Sequence, residues 1–331
     1  MLLSIPPPWL DPLKTKLLTG LNLERSTSIK RQIKALNRDN FSLAFTLAQS
    51  HLNTYSRLDA SIYCAALAAL GLGERKLAES LFTRALYVSN VKVCAAQQLM
   101  NMIYTERRFT HLLSFTQWRI SQGGETEDYF MLGIAKRALG DFAGAKRELE
   151  VALDFISEEN PNLVIMTLTL AQTEMKCDLY QSALPRLHKL VIDQPYDPRG
   201  RSLRARCYEK IGEIDQALTD AQFALKLDPK NPKIHELMGD LLSSTNPKKA
   251  CRHYQLALLH QSPSPLIYIR IADLAEQLGN FQEGISAIEA YLQEGQIDQT
   301  MARSRLKHLR KREEKRISNL AWYQKVYERW R

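Results

Sequence analysis

Cysteine and histidine are the side chains here best suited to metal or thiol chemistry, and their spacing argues against both. Cys64, Cys94, Cys177, Cys207 and Cys251 stand singly, with no Cys-x-x-Cys pair. They read as small apolar residues in a reducing compartment. Among the seven histidines there is no HxxxH or HExxH spacing. His253 and His260 are seven apart and could share a helix face, yet a metal ion needs further ligands. Gly71-Leu72-Gly73 reads as a turn between helices rather than a phosphate-cradling loop, and no Gly-x-Ser-x-Gly elbow exists. The expectation is therefore a chain that is not an enzyme, with no catalytic, cofactor-binding or metal-binding residue and no cofactor.

Charge offers a different chemistry. The formal net charge is +9. Between Arg303 and Arg331 there are eleven Lys or Arg and three Asp or Glu, a net of +8, so nearly all the excess lies in the tail. Lys307, Arg310, Lys311, Arg312, Lys315 and Arg316 form a basic stripe interrupted by Glu313 and Glu314. Three uses compete: a solvated end cap, a docking patch for an acidic protein surface, and a contact for nucleic acid or an anionic membrane. The last is disfavoured because so short a stripe neutralises few phosphates. Ala302, Leu306, Leu309, Leu320, Tyr323, Tyr327 and Trp330 recur at mostly helical spacing, which predicts a final helix or two docked by its apolar side. Leu320-Ala321-Trp322-Tyr323 is too apolar to be left in water.

These residues must be positioned by something, and a repeat supplies it. Ala44, Ala78, Ala145, Ala183, Ala217, Ala250 and Gly284 lie on a period of about 34 residues, with Leu112 in the one vacant slot. The clearest unit runs from Pro198 to Asn231. Counting Pro198 as position 1, Ala205 falls at 8, Tyr208 at 11, Gly212 at 15, Ala217 at 20, Ala221 at 24, Ala224 at 27 and Pro229 at 32. Small residues at facing positions let two antiparallel helices approach. Gly212 suits a left-handed turn between them, and Pro229 cannot continue the second helix. The pattern resembles the tetratricopeptide repeat. That resemblance implies an all-α, right-handed superhelical solenoid of about eight helix pairs with N- and C-terminal capping helices.

Units start near residues 25, 59, 93, 126, 164, 198, 232 and 265. The domain reading is an N-terminal segment 1–24, an array 25–298 and a basic capping helix 299–331. Position 8 reads Ala66, Met100, Gly133, Ala171, Ala205, Gly239 and Ala272, with Gln32 a poor fit in the first unit. Position 15 reads Gly73, Gly140, Gly212 and Gly279, with Asp39 and Asp178 as polar substitutes. In the third unit Leu112 and Arg119 replace small residues, so that unit is degenerate. Asp11 before Pro12 reads as a helix cap for a short helix to about Gly20, leaving Trp9 and Leu10 to cover the first unit. Met1-Leu2-Leu3-Ser4-Ile5 lacks the basic start and length of a signal peptide, and no stretch reaches the roughly 18 apolar residues of a membrane span. A cytoplasmic place is expected, nucleocytoplasmic in a eukaryote.

In tetratricopeptide proteins, positions 2, 5, 9 and 12 of the first helix line a concave groove. Here the second unit places Ala60, Tyr63, Leu67 and Leu70 there, and the fourth Glu127, Phe130, Ile134 and Arg137. The sixth places Arg199, Ser202, Arg206 and Glu209, the seventh Lys233, Glu236, Asp240 and Ser243, and the eighth Leu266, Ile269, Asp273 and Glu276. Such a groove changes from apolar to basic to acidic and suits a partner segment anchored by apolar side chains and oriented by charge. Arg199 and Arg206, about two helical turns apart on one face, read either as a pair that holds a carboxylate or phosphate or as solvated surface charges. The competing reading of Tyr63, Leu67 and Phe130 is packing between neighbouring units. The subclass clamp for chaperone C-termini is not completed, since Asn101 has Gln97 where Lys is required. The functional expectation is a scaffold or adaptor that binds one or more proteins in its groove within a multiprotein complex. The rivals are a nucleic-acid-associated helical-repeat protein using the basic tail and a peptide-sensing regulator, the latter normally carrying an added DNA-binding domain.

Overall fold

Helices dominate because each expected unit alternates short runs of helix-forming residues with a turn residue about every seventeen positions. The computed structural model describes residues 27–54, 60–88, 91–294 and 299–329. The expected capping helix near Pro12–Gly20, with Trp9 and Leu10, lies outside them, as do the side chains of Tyr323, Tyr327 and Trp330. Among the described residues there are seventeen helices and no strand. In order they are α1 Thr27–Leu36, α2 Phe41–Thr54, α3 Ala60–Gly71, α4 Arg75–Ala85, α5 Lys92–Thr105, α6 Phe109–Ser121, α7 Thr126–Ala138 and α8 Phe142–Phe155. There follow α9 Leu163–Lys176, α10 Tyr180–Asp193, α11 Pro198–Ile211, α12 Ile214–Leu227, α13 Pro232–Leu242, α14 Pro247–Leu259, α15 Leu266–Gln277, α16 Phe281–Gln293 and α17 Thr300–Arg329.

One turn recurs between the two helices of a pair. Gly212 has φ 94°, and the next residue, Glu213, donates its N–H back to the Tyr208 carbonyl at 2.9 Å. This closes the helix end with a left-handed residue, where glycine costs least. The polar substitutes behave as expected: Asp39 and Asp178 take φ of 54° and 58°. Arg107 occupies the same place in the third unit with φ 57°, so a long side chain sits in a conformation that disfavours it. Asp141, Asp197, Asn231 and Asn246 cap the helices that follow them with side-chain oxygens, and proline opens three of those four helices.

The chain divides into two units, one up to Thr173 and one from Glu174 onward, with the division inside α9. In the first, one core gathers Ala44, Ala66, Ala78 and Phe82, and another Met100, Leu112, Phe130, Leu149 and Met166. Leu112 is fully buried, so the apparent vacancy in the alanine series is a filled core position. Gln32, the poor fit in the first unit, is also buried and donates to Ser61 Oγ at 3.1 Å.

In the second unit the cores gather Ala205, Ala217, Ala221 and Leu237, then Ala250, Ala272, Ile288 and Leu309. Gly239 shows why position 8 must be small. A Cβ there would lie 2.4 Å from the Tyr254 ring, well inside van der Waals contact.

Candidate partner-binding surface

In the unit ending at Thr173, the expected apolar groove does not form from the residues assigned to it. Tyr63 is 1% exposed, and Leu67, Phe130 and Ile134 are buried with it or with the neighbouring core. Tyr63 packs its ring 5.7 Å from that of Phe82 on α4. Burial holds its hydroxyl far above the usual tyrosine range. Position 5 is thus spent on stacking one pair against the next, the competing reading of these side chains.

Arg119, at a position where the repeat expects a small residue, is buried. Its guanidinium reaches Asp128 in the first turn of α7, Nε to Oδ1 at 3.3 Å and Nη2 to Oδ2 at 3.1 Å. Asp128 also accepts the Glu125 N–H at 2.8 Å, so one carboxylate both caps α7 and neutralises the arginine. A basic residue at the small position, followed nine residues later by an acid in a helix's first turn, was the readable signal.

In the unit beginning at Glu174, the expected groove positions stay half-exposed or exposed. Helices α11, α13 and α15 carry them, and the charges meet in a ladder. Arg270 Nη1 donates to Asp240 Oδ1 at 2.6 Å and Glu236 Oε1 at 3.2 Å. The Tyr254 hydroxyl donates to the same Asp240 oxygen at 2.7 Å, and Arg206 approaches Asp240 Oδ2 at 3.7 Å. Burial raises the Glu236 carboxyl while Arg270 and Arg206 pull it back. Arg199 stands apart, since it forks onto Asp197 at the start of its own helix, with bonds of 2.7 to 3.0 Å. Arg199 and Arg206 therefore do not form a joint anion site, because a nearer carboxylate claims each.

The tail continues the ladder. Arg305 pairs with Asp273 and donates to Glu276 Oε2 at 3.1 Å, and Arg312 donates to Glu276 Oε1 at 2.6 Å while lying over the Phe281 ring. Burial raises the Asp273 carboxyl and Arg305 opposes it. Arg310 donates to Glu289, and Arg316 to Glu313. Lys307, Lys311 and Lys315 are exposed. The basic stripe is thereby sorted: its arginines are engaged within the chain and its lysines face water.

Docking of the tail ends earlier than expected. Ala302 and Leu309 are buried, but Leu320 is 52% and Trp322 59% exposed. The reason is length. At about 1.5 Å per residue a helix of thirty residues runs on the order of 45 Å, against about 20 Å for α16, so its second half extends past α16.

Packing accounts for two of the thiols and for a cluster of three histidines. Cys207 and Cys251 are buried, which pushes both thiols up to about 12 and leaves them protonated and unreactive at neutral pH. His235 joins the pair noted in the sequence: its Nδ1 lies 3.1 Å from His253 Nδ1, its Nε2 3.0 Å from the Pro229 carbonyl, and its ring stacks on His260. No group of His, Cys, Asp or Glu that could hold a metal occurs among the described residues. No described helix is long and apolar enough to cross a membrane.

No family model matches the chain. Among solved structures, a subunit of the APC/C hetero-tetramer Cut9–Hcn1 superposes with a TM-score of 0.59 at 13% identity, covering 89% of this chain and 58% of that one. A tetratricopeptide repeat protein from Parabacteroides merdae gives 0.51 at 13% identity, covering 75% and 97%. The fold is that of tetratricopeptide-repeat proteins, an all-helical array of helix pairs. By sequence, the protein is similar to Hsp70-Hsp90 organizing protein 3 of Arabidopsis thaliana, 26% identical over 149 residues, 45% of its length. Protein PHOX3 of the same plant is 38% identical over 66 residues, 20% of the length. The matched stretches span only 26% and 7% of those relatives.

Proposed function

We propose that this protein is a non-enzymatic scaffold or adaptor that binds a segment of a partner protein on the first-helix surface of α11, α13 and α15, within a multiprotein assembly. The observation that carries the reading is the accessibility of that surface: Arg206, Glu236, Asp240, Arg270, Asp273 and Glu276 are shared among several ion pairs and remain partly open to water. A partner segment bearing both signs of charge exchanges its own side chains into such pairs. The arginine members of these pairs keep 32 to 36% of their side chains exposed, so a partner can reach them from solvent. The name of the Arabidopsis organizing protein fits an assembly role. The division into residues 1–24, 25–298 and 299–331 and a cytoplasmic or nucleocytoplasmic place belong to the same reading.

Affinity purification followed by charge reversal tests it. Arg206→Glu with Arg270→Glu is expected to lose the copurifying protein while circular dichroism stays unchanged, and Lys226→Glu on α12 to retain it. Retention in the double variant overturns the reading. The tail offers a secondary docking place for an acidic protein surface, favoured by exposed Lys307, Lys311 and Lys315 beside exposed Ile317 and Trp322.

A further inference from the structure

The face of α17 that seats this helix on its unit continues past the point where its neighbours end. Ala302, Leu309 and Glu313 lie along one stripe and are 5%, 0% and 8% exposed. Leu320, three turns beyond Leu309, falls on the same stripe, with Ile317 at its edge, and these two are 52% and 55% exposed. Single exposed apolar residues are ordinary on a protein surface. These two prolong an interface that is already built.

The built part shows what kind of helix α17 accepts. Each helix packed against it brings a carboxylate to one of its arginines: Asp273 and Glu276 of α15 meet Arg305, Glu276 also meets Arg312, and Glu289 of α16 meets Arg310. Apolar side chains fill the space between, with Leu309 among Ile271, Ala272 and Ile288. Beyond Glu314 the same composition persists in the sequence. Residues 315–331 hold five Lys or Arg and one Glu, a net of +4. A second copy of the chain would set that charge against its like, whereas an acidic segment is drawn to it. Nucleic acid would use the charge and leave Ile317 and Leu320 in water.

We propose that the half of α17 beyond α16 docks an acidic amphipathic helix of a partner protein, its apolar side against Ile317 and Leu320 and its carboxylates toward the basic residues around them. The proposal rests on the scaffold reading and adds to it a second place with a stated partner chemistry. It also commits to one face. Trp322 lies about 200° around the helix from Leu320, among Lys311 and Lys315, and is not part of the contact.

The test uses the full-length protein and a fluorescein-labelled peptide of three heptads of Leu-Ala-Glu-Leu-Glu-Ala-Glu, followed by fluorescence anisotropy. The parent is expected to bind it, more weakly as salt rises. A peptide of the same composition with its leucines scattered, and one with Lys in place of Glu, are expected not to bind. Ile317→Glu with Leu320→Glu is expected to weaken binding at least about tenfold, and Trp322→Gln to change it less than about twofold. Deletion of residues 319–331 is expected to abolish binding, which keeps the test decisive should the double variant fail to fold. Equal binding of the scattered peptide, retention in the double variant, or loss confined to Trp322→Gln overturns the proposal. So does binding to phosphatidylserine vesicles or duplex DNA without binding to the peptide, or self-association through residues 319–331 in sedimentation. No peptide response, with copurification still lost in Arg206→Glu with Arg270→Glu, refutes this inference alone. A peptide response with copurification kept in that variant refutes the α11, α13 and α15 surface and leaves this one standing.

Discussion

Arg119 and Asp128 form a buried ion pair, 5% and 1% exposed, that ties the end of α6 to the start of α7 in the most degenerate of the repeats. Breaking one side leaves the other charge uncompensated. Arg119→Ala is expected to lose about 3–5 kcal/mol in urea unfolding. Arg119→Met with Asp128→Ser removes both charges, keeps a capping oxygen on α7, and is expected to lose less than Arg119→Ala alone. Near-parental stability of Arg119→Ala would show that the pair carries no such weight.

Arg107 supplies a test of the recurrent turn. Its φ of 57° is the conformation that Gly212 adopts at no steric cost in its own unit. Arg107→Gly removes the left-handed penalty and adds some unfolded-state entropy, so a net gain of about 0.5–1 kcal/mol is expected. A lower Tm for the variant would place another role on that side chain.

Gly239→Ala separates helix propensity from packing. Alanine normally stabilises a helix interior by about 1 kcal/mol relative to glycine. Here the added Cβ meets the Tyr254 ring, and Tyr254 is held by its bond to Asp240, so the ring yields only by breaking that bond. The expected outcome is a loss of about 1–3 kcal/mol, read from thermal unfolding.

The long final helix is expected to be stabilising in its first half only. Deletion of residues 319–331 should leave Tm nearly unchanged, whereas Leu309→Asp, at a fully buried position, should lower it sharply. A large drop on deletion would mean that Leu320 and Trp322 are covered in solution.

Stability should fall in mild acid through His235 and His253. Burial lowers both below the ordinary 6.5; the Pro229 carbonyl partly offsets this for His235, while His260 lowers it further. His235, Arg252 and Lys249 add to the lowering at His253. Between the folded and unfolded values the unfolded chain binds more protons, so the contribution is complete above about 6.5 and is lost as pH drops below it. His253→Gln is expected to flatten the Tm profile in that window. An unchanged slope would assign the acid sensitivity to other groups.

The architecture was legible in the sequence because helix crossings tolerate only small side chains. Ala205 and Ala272 at one position of the unit, and Ala217 and Ala250 at another, recur on the period of about 34 residues and are all fully buried, and the turn residues at Asp39, Asp178 and Gly212 follow from local backbone sterics alone. Charge totals were also legible, including the concentration of basic residues after Arg303. Which side chains face a partner was not. Tyr63 and Phe130 hold groove positions by count, but neighbouring pairs close over them, and that depends on how tightly the helices stack. Likewise Arg199, Arg206, Arg305 and Arg312 are equivalent as letters; Asp197 claims the first, Asp240 the second, Asp273 and Glu276 the third, and Glu276 the last, because an ion pair is decided by which carboxylate lies within about 4 Å in space and no one-dimensional spacing fixes that distance.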